Sequence, residues 1–410
     1  MKAFILAAGQ GTRMRPLTKN TPKPLLPVAG KPILKHNIEL LRERVDEIIV
    51  LVGWRAKRIK DTLAYPEDEV IYVKQEKQLG TAHAISKAEK YIEDNFICLN
   101  GDILLPDDVI NDFIDGFQAT DKSLIGMAEV EDPSEYGVIE TDSDGVVKAL
   151  IEKPSEPISN MANAGIYGFD TSIFEAIKKT EKSPRGEYEI TDSMEFLIKE
   201  KKLKGFPIKK EDWVELSRPW ELLSANKKLL SSDFSCIKEG RKGRIEDNVH
   251  LEGFVSLEKD AVIREGTYIQ GPVCIGEGSD IGPNTYIRSC TTIGKNCRIG
   301  AAVEIKNSIV MDGTNIPHHN YVGDSVIGRN CNFGSGTKVA NLRLDESNII
   351  VTHRGEKIDT NRRKLGVIMG DDVKTGINSM INTGTIIGDG TFLGPGAVAD
   401  GEIGENSRIQ

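Results

Sequence analysis

The sequence predicts an α/β protein: a Rossmann-like, mostly parallel sheet followed by a left-handed parallel β-helix of hexapeptide repeats. In the first half of the 410 residues, apolar strand-like runs alternate with amphipathic helical stretches. That alternation is typical of βαβ units whose parallel sheet is covered on both faces. In the second half, a large aliphatic residue recurs at every sixth position. Such a period fits neither a helix nor a flat sheet.

Five strand-like runs in the first half define the predicted sheet. They are 3–8, 47–53, 70–74, 96–102 and 123–130. Helical patterns cover 32–45 and 80–92 between them. Ligands of open parallel sheets bind beyond the carboxyl ends of the strands, where this sequence places its glycines and Asp102.

The six-residue register of the second half runs without interruption over twelve positions. They are Ile245, Leu251, Leu257, Ile263, Ile269, Ile275, Ile281, Ile287, Ile293, Ile299, Ile305 and Met311. The register resumes at Met369, Thr375, Ile381, Ile387 and Leu393. Each unit fits one short strand and turn of a triangular solenoid, with the aliphatic side chain pointing into the shaft.

The change in periodicity sets the expected domain boundaries. We expect a first domain over 1–220, a linker helix over 221–242 and the β-helix over 243–410. Residues 340–364 break the register and are predicted to form an inserted arm. Long insertions in repeats usually map to a working face.

Composition excludes several classes of partner. The net charge of −9 argues against a nucleic-acid partner, whose binding domain would be basic. No apolar stretch approaches the ~20 residues of a membrane span, so no membrane partner is expected. The six cysteines form no CxxC pair, which favours reduced thiols in a cytoplasmic protein.

The first strand leads into a glycine-rich turn, L-A-A-G-Q-G-T-R. Gly9 and Gly11 allow backbone N–H groups to approach phosphate oxygens closely. Arg13 and Lys23 add positive charge suited to a triphosphate. The glycine pair alone is a weak signal, whereas the longer string T-P-K-P-L-L-P-V-A-G-K-P-I-L at 21–34 is far more specific.

With Q-L-G-T at 78–81 and N-G-D at 100–102, residues 1 to about 230 resemble the sugar-1-phosphate nucleotidylyltransferases. The resemblance implies nucleotide contacts at Leu6, Ala7, Ala8, Gly9, Gln10, Gly11, Thr12, Arg13, Lys23, Gln78, Gly80 and Thr81. It implies sugar-phosphate contacts at Gly137, Glu152, Lys153 and Asn163. Asp102 and Glu215 fall at the positions of the family's Mg²⁺ ligands.

The implied chemistry suits these residue types. A sugar-1-phosphate oxygen attacks the α-phosphorus of a nucleoside triphosphate, and pyrophosphate leaves. Because two polyanions must meet, charge neutralisation and in-line positioning matter more than acid–base work. Arg13 and Lys23 are the expected catalytic cations, acting on the leaving pyrophosphate. The expected substrates are UTP or dTTP and hexose or amino-sugar 1-phosphates, between which the motifs do not choose.

The segments E-I-K-N at 304–307 and P-H-H-N-Y-V-G-D at 317–324 resemble the acetyltransferase half of bifunctional N-acetylglucosamine-1-phosphate uridylyltransferases. The resemblance implies that His318 is the general base and that His319 has no special role. An imidazole pKa of ~6.5 suits removal of a proton from an attacking amine. Substrate contacts are implied at Arg288, Lys306, Tyr321, Asn332 and Asn341, and contacts to the co-substrate acetyl-CoA at Lys364, Gly376 and Pro395.

Three functions stay open at this point. The leading hypothesis is a bifunctional enzyme that makes UDP-N-acetylglucosamine by acetylation followed by uridylyl transfer. The second is a monofunctional glucose-1-phosphate thymidylyl- or uridylyltransferase whose β-helix serves assembly. The third is a non-catalytic regulatory subunit, against which the intact motifs argue. β-Helix acyltransferases use sites between neighbouring prisms, so a homotrimer or a multiple of it is expected.

Overall fold

The computed structural model describes residues 1–231 and 240–410, which divide by their contacts into two compact units. The first comprises Met1–Gln10, Pro22–Leu25 and Ile33–Glu215, and the second comprises Gly11–Thr21, Leu26–Pro32 and Leu216–Gln410. The sequence did not predict that two N-terminal segments would group with the C-terminal half. Part of the expected linker helix, together with Cys236, falls at 232–239, outside the described residues.

The described residues contain seven α-helices. They are α1 (Ile33–Leu41), α2 (Ala56–Leu63), α3 (Thr81–Ile85), α4 (Asp107–Gln118), α5 (Ser172–Lys179), α6 (Ile190–Lys199) and α7 (Glu221–Leu230). Helix α3 is shorter than the helix predicted over 80–92, because the chain tightens into a 3₁₀ turn at Ser86–Ala88. No helix in the described part of the chain has the length and apolarity needed to cross a bilayer.

The five predicted strands of the first half are all present among the strands before the solenoid. These strands are β1 (Lys2–Ala7), β2 (Pro27–Val28), β3 (Lys31–Pro32), β4 (Glu47–Val52), β5 (Val70–Lys74), β6 (Phe96–Asn100), β7 (Ile103–Leu104), β8 (Ser123–Glu129), β9 (Gly137–Thr141), β10 (Val147–Glu152), β11 (Met161–Phe169), β12 (Leu203–Ile208) and β13 (Val214–Glu215).

A nine-stranded sheet forms the centre of the first unit. Its main path runs β10-β9-β11-β6-β1-β4-β5, with β8 and β12 added beside β11. The pairs among β6, β1, β4 and β5 are parallel, whereas β11 is antiparallel to β6. Side chains alternate across the strands, so Phe4 joins one apolar cluster and Ile5 joins another. The sheet is therefore covered on both faces, as the sequence predicted.

The second unit is built on a parallel solenoid with three faces. The first face contains Arg244–Ile245, Val262–Ile263, Asp280–Ile281, Arg298–Ala301, Asn315–His318, Lys374–Thr375, Phe392–Leu393 and Arg408–Ile409. The second contains His250–Glu252, Tyr268–Gln270, Tyr286–Ile287, Glu304–Lys306, Tyr321–Gly323, Lys338–Val339, Met380–Ile381 and Val398–Ala399. The third contains Val255–Leu257, Val273–Ile275, Thr291–Ile293, Ile309–Val310, Val326–Ile327, Ile368–Met369, Ile386–Ile387 and Glu402–Ile403. These parallel stacks confirm the predicted left-handed β-helix fold class.

From Leu251 onward, the aliphatic residues of the six-residue register form one continuous apolar shaft, whereas the prediction for Ile245 is wrong, because it lies in the first coil and is 36% exposed. Ile269, Ile287 and Ile305 pair in adjacent coils, and each is 0% exposed. The prediction for Met311 is wrong by one residue. Val310, which pairs with Ile293, occupies the shaft, because the corner after Ile305 is one residue shorter than the corners before it.

The interruptions of the six-residue register lie at one edge of the prism, between the second and the third face. The corner after Val322 is again one residue short, so Ile327 is the next shaft residue. In the following coil, residues 341–364 are inserted at the same edge, between the strands Lys338–Val339 and Ile368–Met369. The insertion contains an antiparallel hairpin, Ile350–His353 with Glu356–Asp359.

The N-terminal segment of the second unit is bonded to the solenoid and its insertion. Lys19 Nζ lies 2.9 Å from Glu405 Oε1, and Asn20 donates to Asp389 across 2.8 Å. His353 Nε2 lies 2.9 Å from the carbonyl oxygen of Arg15. A carbonyl oxygen can only accept, so Nε2 of this buried imidazole carries the hydrogen.

The shaft generates the first prediction. Ile305→Ala removes a fully buried side chain and leaves a cavity, so the free energy of unfolding should fall by about 2–5 kcal/mol. The matched control is Ile377→Ala, whose side chain is 56% exposed and should cost less than about 0.5 kcal/mol. Urea unfolding followed by far-ultraviolet circular dichroism measures both. Equal losses would contradict the assignment of Ile305 to the shaft.

Candidate active sites

A pocket of about 300 Å³ opens at the carboxyl ends of β1, β4 and β6 in the first unit. Its lining is Leu6, Ala8, Gly9, Leu51, Gln75, Gln78, Gly80, Thr81, Ala84, Asn100, Asp102 and Glu187. Seven of these residues were predicted from the sequence as nucleotide or metal contacts. Gln75 was missed, although it directly follows β5 and the strand-end rule could have found it. Glu187 was also missed, since it belongs to the loop before α6.

Backbone contacts fix the shape of this pocket. Gln78 Nε2 donates to the carbonyl oxygen of Ala8 across 2.5 Å, which ties the glycine-rich turn to the Q-L-G-T segment. Gly80 has φ +109°, and a Cβ at that position would collide with the backbone of Tyr188. Thr81 Oγ1 accepts from the Ile190 N–H across 2.9 Å, so this hydroxyl joins α3 to α6.

Asp102 lines this pocket, and Glu215 lies on a strand that pairs with the residues directly after Asp102. Antiparallel pairing of β7 with β13 sets Glu215 opposite Ile103, beside Asp102. Lys23 Nζ lies 2.5 Å from Asp102 Oδ2. Among the described residues, no group of three or more histidine, cysteine, aspartate and glutamate side chains could hold a metal ion. Two neighbouring carboxylates fit Mg²⁺, which usually keeps water and substrate phosphate oxygens as its other ligands.

The predicted sugar-binding residues converge where β9, β10 and β11 meet. Glu152 pairs with Gly137, and a Cβ on Gly137 would lie 3.2 Å from Glu152 Oε2 and 3.5 Å from Asn163 Cβ. Burial raises the pKa of Glu152, and Arg185, 3.2 Å from Oε1, opposes the rise. Arg185 was missed by sequence reasoning, because it approaches from the loop before α6.

The other two sugar-site side chains make local contacts. Asn163 Nδ2 donates to the Tyr167 hydroxyl across 2.9 Å, and its Oδ1 accepts from the Gly165 N–H across 3.0 Å. Lys153 has φ +46° and pairs with Glu135 at 3.9 Å.

The remainder of the glycine-rich turn groups with the second unit. Gly11 has φ +63°, and its carbonyl oxygen accepts from the Thr18 hydroxyl across 2.7 Å. Thr12 and Arg13 form a 3₁₀ turn with Met14. The Arg13 side chain is exposed. Ahead of this turn, the side chain of Ala7 is buried and that of Gln10 is exposed.

The solenoid contains a second pocket of about 300 Å³, at the edge with the short corners. Its lining is Lys227, Gln270, Arg288, Ser289, Cys290, Lys306, Asn307 and Asp324. Of these, Arg288 and Lys306 were predicted as substrate contacts. The other residues were not predicted as contacts, although Asp324 ends the motif P-H-H-N-Y-V-G-D that was found in the sequence.

Asp324 is the centre of a buried polar cluster at this pocket. Its carboxylate accepts from Asn307 Nδ2 at 2.7 Å and from Asn341 Nδ2 at 2.5 Å, and it pairs with Lys306 Nζ at 3.3 Å. Burial lowers the pKa of Arg362, and the charge of Asp324 opposes that change. The cluster therefore holds two predicted substrate residues, Lys306 and Asn341, against one anion.

Tyr321 joins the same cluster from the second face. Its hydroxyl bonds to the Asn341 side chain, and burial raises the pKa of that hydroxyl. A Cβ on Gly323 would lie 2.7 Å from the Tyr321 oxygen and 2.6 Å from Asn341 Nδ2, so both side chains cover this glycine. Arg288 Nη1 pairs with Glu304 at 3.0 Å.

The histidines lie at a different edge of the prism. His318 ends a strand of the first face and pairs with Ala301. His319 has φ +54°, and its carbonyl oxygen accepts from Lys338. Both histidine side chains are exposed, and the second face, with strands of two to three residues, separates this edge from the Asp324 edge.

The predicted acetyl-CoA contacts divide between these edges. Gly376 and Pro395 stack in successive coils on the side of His318, since a Cβ on Gly376 would lie 2.5 Å from Pro395 N. Asn332 is exposed on the first face, where it bridges Asn315 and Lys374. Lys364 is exposed where the inserted segment returns to the solenoid. The structure thus groups the predicted residues along the two borders of the second face, with Asn332 on the adjoining first face, rather than in one pocket.

Two family models match the chain. Residues 2–232 match the nucleotidyl transferase family, and residues 269–392 match a model described as the GMPPB C-terminal domain. Among solved structures, a putative glucose-1-phosphate thymidylyltransferase from Bacillus anthracis is 29% identical, with a TM-score of 0.53. That match covers 59% of this chain and 98% of the other.

Curated relatives match the whole chain. The Bifunctional protein GlmU of Methanocaldococcus jannaschii is 42% identical over 409 residues, covering 100% of this chain and 97% of the relative. A bifunctional sugar-1-phosphate nucleotidylyltransferase/acetyltransferase of Sulfurisphaera tokodaii is 39% identical and covers 98% of both chains. The chain therefore belongs to the nucleotidyl transferase family and, along its full length, to the bifunctional sugar-1-phosphate nucleotidylyltransferase/acetyltransferase proteins.

Proposed function

We propose that the chain acetylates glucosamine-1-phosphate with acetyl-CoA and then transfers UMP from UTP to N-acetylglucosamine-1-phosphate, releasing pyrophosphate. One observation carries the proposal. A single chain contains a strand-end pocket with Gly9, Gln78 and Asp102, and a solenoid pocket with Lys306 beside a buried Asp324. The first lining suits a nucleotide and the second suits an anionic sugar. We also propose a cytoplasmic location, which the six cysteines without a CxxC pair support.

In the nucleotidyl site, positioning and charge do most of the work. Backbone N–H groups at Gly9 and Gly11 would bind phosphate oxygens, while Arg13 and Lys23 neutralise the leaving pyrophosphate. Asp102 and Glu215 would hold Mg²⁺, which when bound withdraws electron density from the α-phosphate. Lys23, which would neutralise the leaving pyrophosphate, contacts Asp102, which would bind the metal. The two roles therefore fall on neighbouring side chains.

The sugar phosphate would lie against β9, β10 and β11. Glu152 presents a carboxylate that accepts from sugar hydroxyls, and Asn163 adds an amide. Gly137 leaves the space that a side chain would fill beside Glu152 Oε2. Lys153 follows Glu152 and would approach the phosphate.

In the acetyltransferase site, the amino sugar would span the second face. Arg288 and Lys306 would bind its phosphate, while Tyr321, Asn332 and Asn341 orient the ring. His318 would take the proton as the nitrogen forms its bond to the thioester carbon. The C–S bond then breaks, and coenzyme A leaves as a thiol when its sulfur takes the proton held by His318.

Assembly is part of this proposal. Acetyl-CoA would run along Gly376 and Pro395 towards Lys364, so the residues for the two substrates border the same face. A neighbouring prism could complete a site on such a face, and we propose a homotrimer or a multiple of it.

Asp102 provides a test of the nucleotidyl site. Asp102→Asn should lower pyrophosphate release by about 10²-fold or more, because a neutral amide is a poor Mg²⁺ ligand. Acetyl transfer should be unchanged. Asp144→Asn, on the exposed turn between β9 and β10, is the control for loss of one charge. Full pyrophosphate release by Asp102→Asn, or by the wild type in EDTA, would refute the metal assignment.

Glu152 provides a pH test. Because burial raises its pKa, Glu152 takes up a proton at a higher pH than an ordinary glutamate, and the accepting carboxylate is lost as the pH falls. The KM for the sugar phosphate should therefore rise towards acid pH. Glu152→Gln should raise KM by about tenfold at neutral pH and remove this dependence. The exposed Glu156→Gln is the control. A Glu152→Gln enzyme with the wild-type pH profile would contradict the role.

The two histidines separate an acetyltransferase from an assembly module. His318→Asn should lower acetyl transfer by about 10²–10⁴-fold, the usual range for loss of an acid–base group. His319→Asn is the matched control, because asparagine tolerates the positive φ of that position. Thiol release from acetyl-CoA measures both. If the wild type releases no thiol with any amino-sugar phosphate, the monofunctional alternative is favoured.

A further inference from the structure

The solenoid pocket has a lining residue that does not come from the solenoid. Lys227 belongs to helix α7, yet it lines the pocket together with Arg288 and Lys306. The lining thus contains three cationic side chains and one carboxylate, Asp324. That carboxylate is already engaged by Lys306, Asn307 and Asn341. Arg288 is paired in the same way with Glu304, so Lys227 adds a third cation beside two existing ion pairs.

The residue before Lys227 fixes the helix against this coil. Asn226 is 0% exposed, and both the nitrogen and the oxygen of its side-chain amide are hydrogen-bonded. Nδ2 donates to the Cys290 carbonyl oxygen at 2.9 Å. Its Oδ1 accepts from the Thr292 hydroxyl at 2.7 Å and from the Ala29 N–H at 2.8 Å. Cys290 itself lines the pocket. Asn226 directly precedes Lys227 in the sequence. Its hydrogen bonds therefore fix the backbone at Lys227, from which the lysine side chain extends at the rim of the pocket.

The Cys290 thiol lines the pocket together with Lys227 and Lys306. Burial raises the pKa of this thiol, and the ammonium groups of Lys227 and Lys306 both oppose the rise. Lys227 is exposed, whereas Lys306 is partly buried against Asp324. The two lysines therefore line the same pocket with different exposure to solvent.

We propose that Lys227 is a third phosphate-binding cation, which helix α7 contributes to the acceptor site of the acetyltransferase. This inference rests on the proposed function, because it assigns the pocket to the phosphate of glucosamine-1-phosphate. An exposed lysine can reach an anion without the cost of a fully desolvated charge. Three cations around one phosphate favour a sugar phosphate over an amino sugar that has no phosphate.

The experiment compares Lys227→Met with Lys228→Met, which removes the same charge from the next position of α7. For Lys227→Met, we expect the KM for glucosamine-1-phosphate to rise about tenfold, with kcat and the KM for acetyl-CoA within about twofold of wild type. Activity with glucosamine, which has no phosphate, should be equal in the two variants. Lys227→Arg should restore most of the affinity. Unfolding midpoints of both variants report on the docking of α7.

A second measurement separates this inference from the proposed function. Isothermal titration with inorganic phosphate should show binding to the wild type that is weakened in Lys227→Met, even if no acetyl transfer is found. Wild-type acetyl transfer with an unchanged KM in Lys227→Met would overturn the role of Lys227 and leave the proposed function standing. Equal effects of the two methionine variants would also overturn it.

Discussion

The stacking of one aliphatic side chain per six residues is the constraint on which the solenoid depends. Each shaft residue, such as Ile287, lies against its equivalent in the next coil, Ile305. The spacing of successive coils is therefore the same at every corner of the prism. The short corners after Ile305 and Val322 stack on each other in successive coils. The regular core thereby concentrates irregular backbone, and the polar groups it carries, at one edge.

Electrostatics at that edge follow from its geometry. Asn307 and Asp324 both have positive φ, at 43° and 50°, and their side chains bond across the two short corners. A buried carboxylate is costly unless it is compensated, and Asp324 has amide donors and an ammonium group around it. The compensation also orders Lys306 and Asn341. One set of contacts thus stabilises the fold and prearranges the groups that we assign to the amino sugar.

The sequence was most informative where one residue type repeats or a motif is contiguous. The period of six predicted the shaft, and the glycine-rich turn with N-G-D predicted the strand-end pocket. It failed at Met311, because counting in sixes cannot detect a corner that has lost one residue. Arg185 and Lys227 were missed for another reason: each reaches its site from an element far away in the sequence, without a local pattern. The bonding of Asp324 to Asn341 likewise depends on coil stacking rather than on spacing.

The grouping of Gly11–Thr21 with the solenoid affects how this protein can be recombined. The segment lies early in the chain, but its partners, including His353, Asp389 and Glu405, lie in the last sixty residues. A chimera joined near residue 231 would bring Lys19 and Asn20 from one parent to acidic groups inherited from the other. Relatives could exchange their halves freely only if both sides of these contacts match. A working chimera should therefore take Gly11–Thr21 and the solenoid from the same parent.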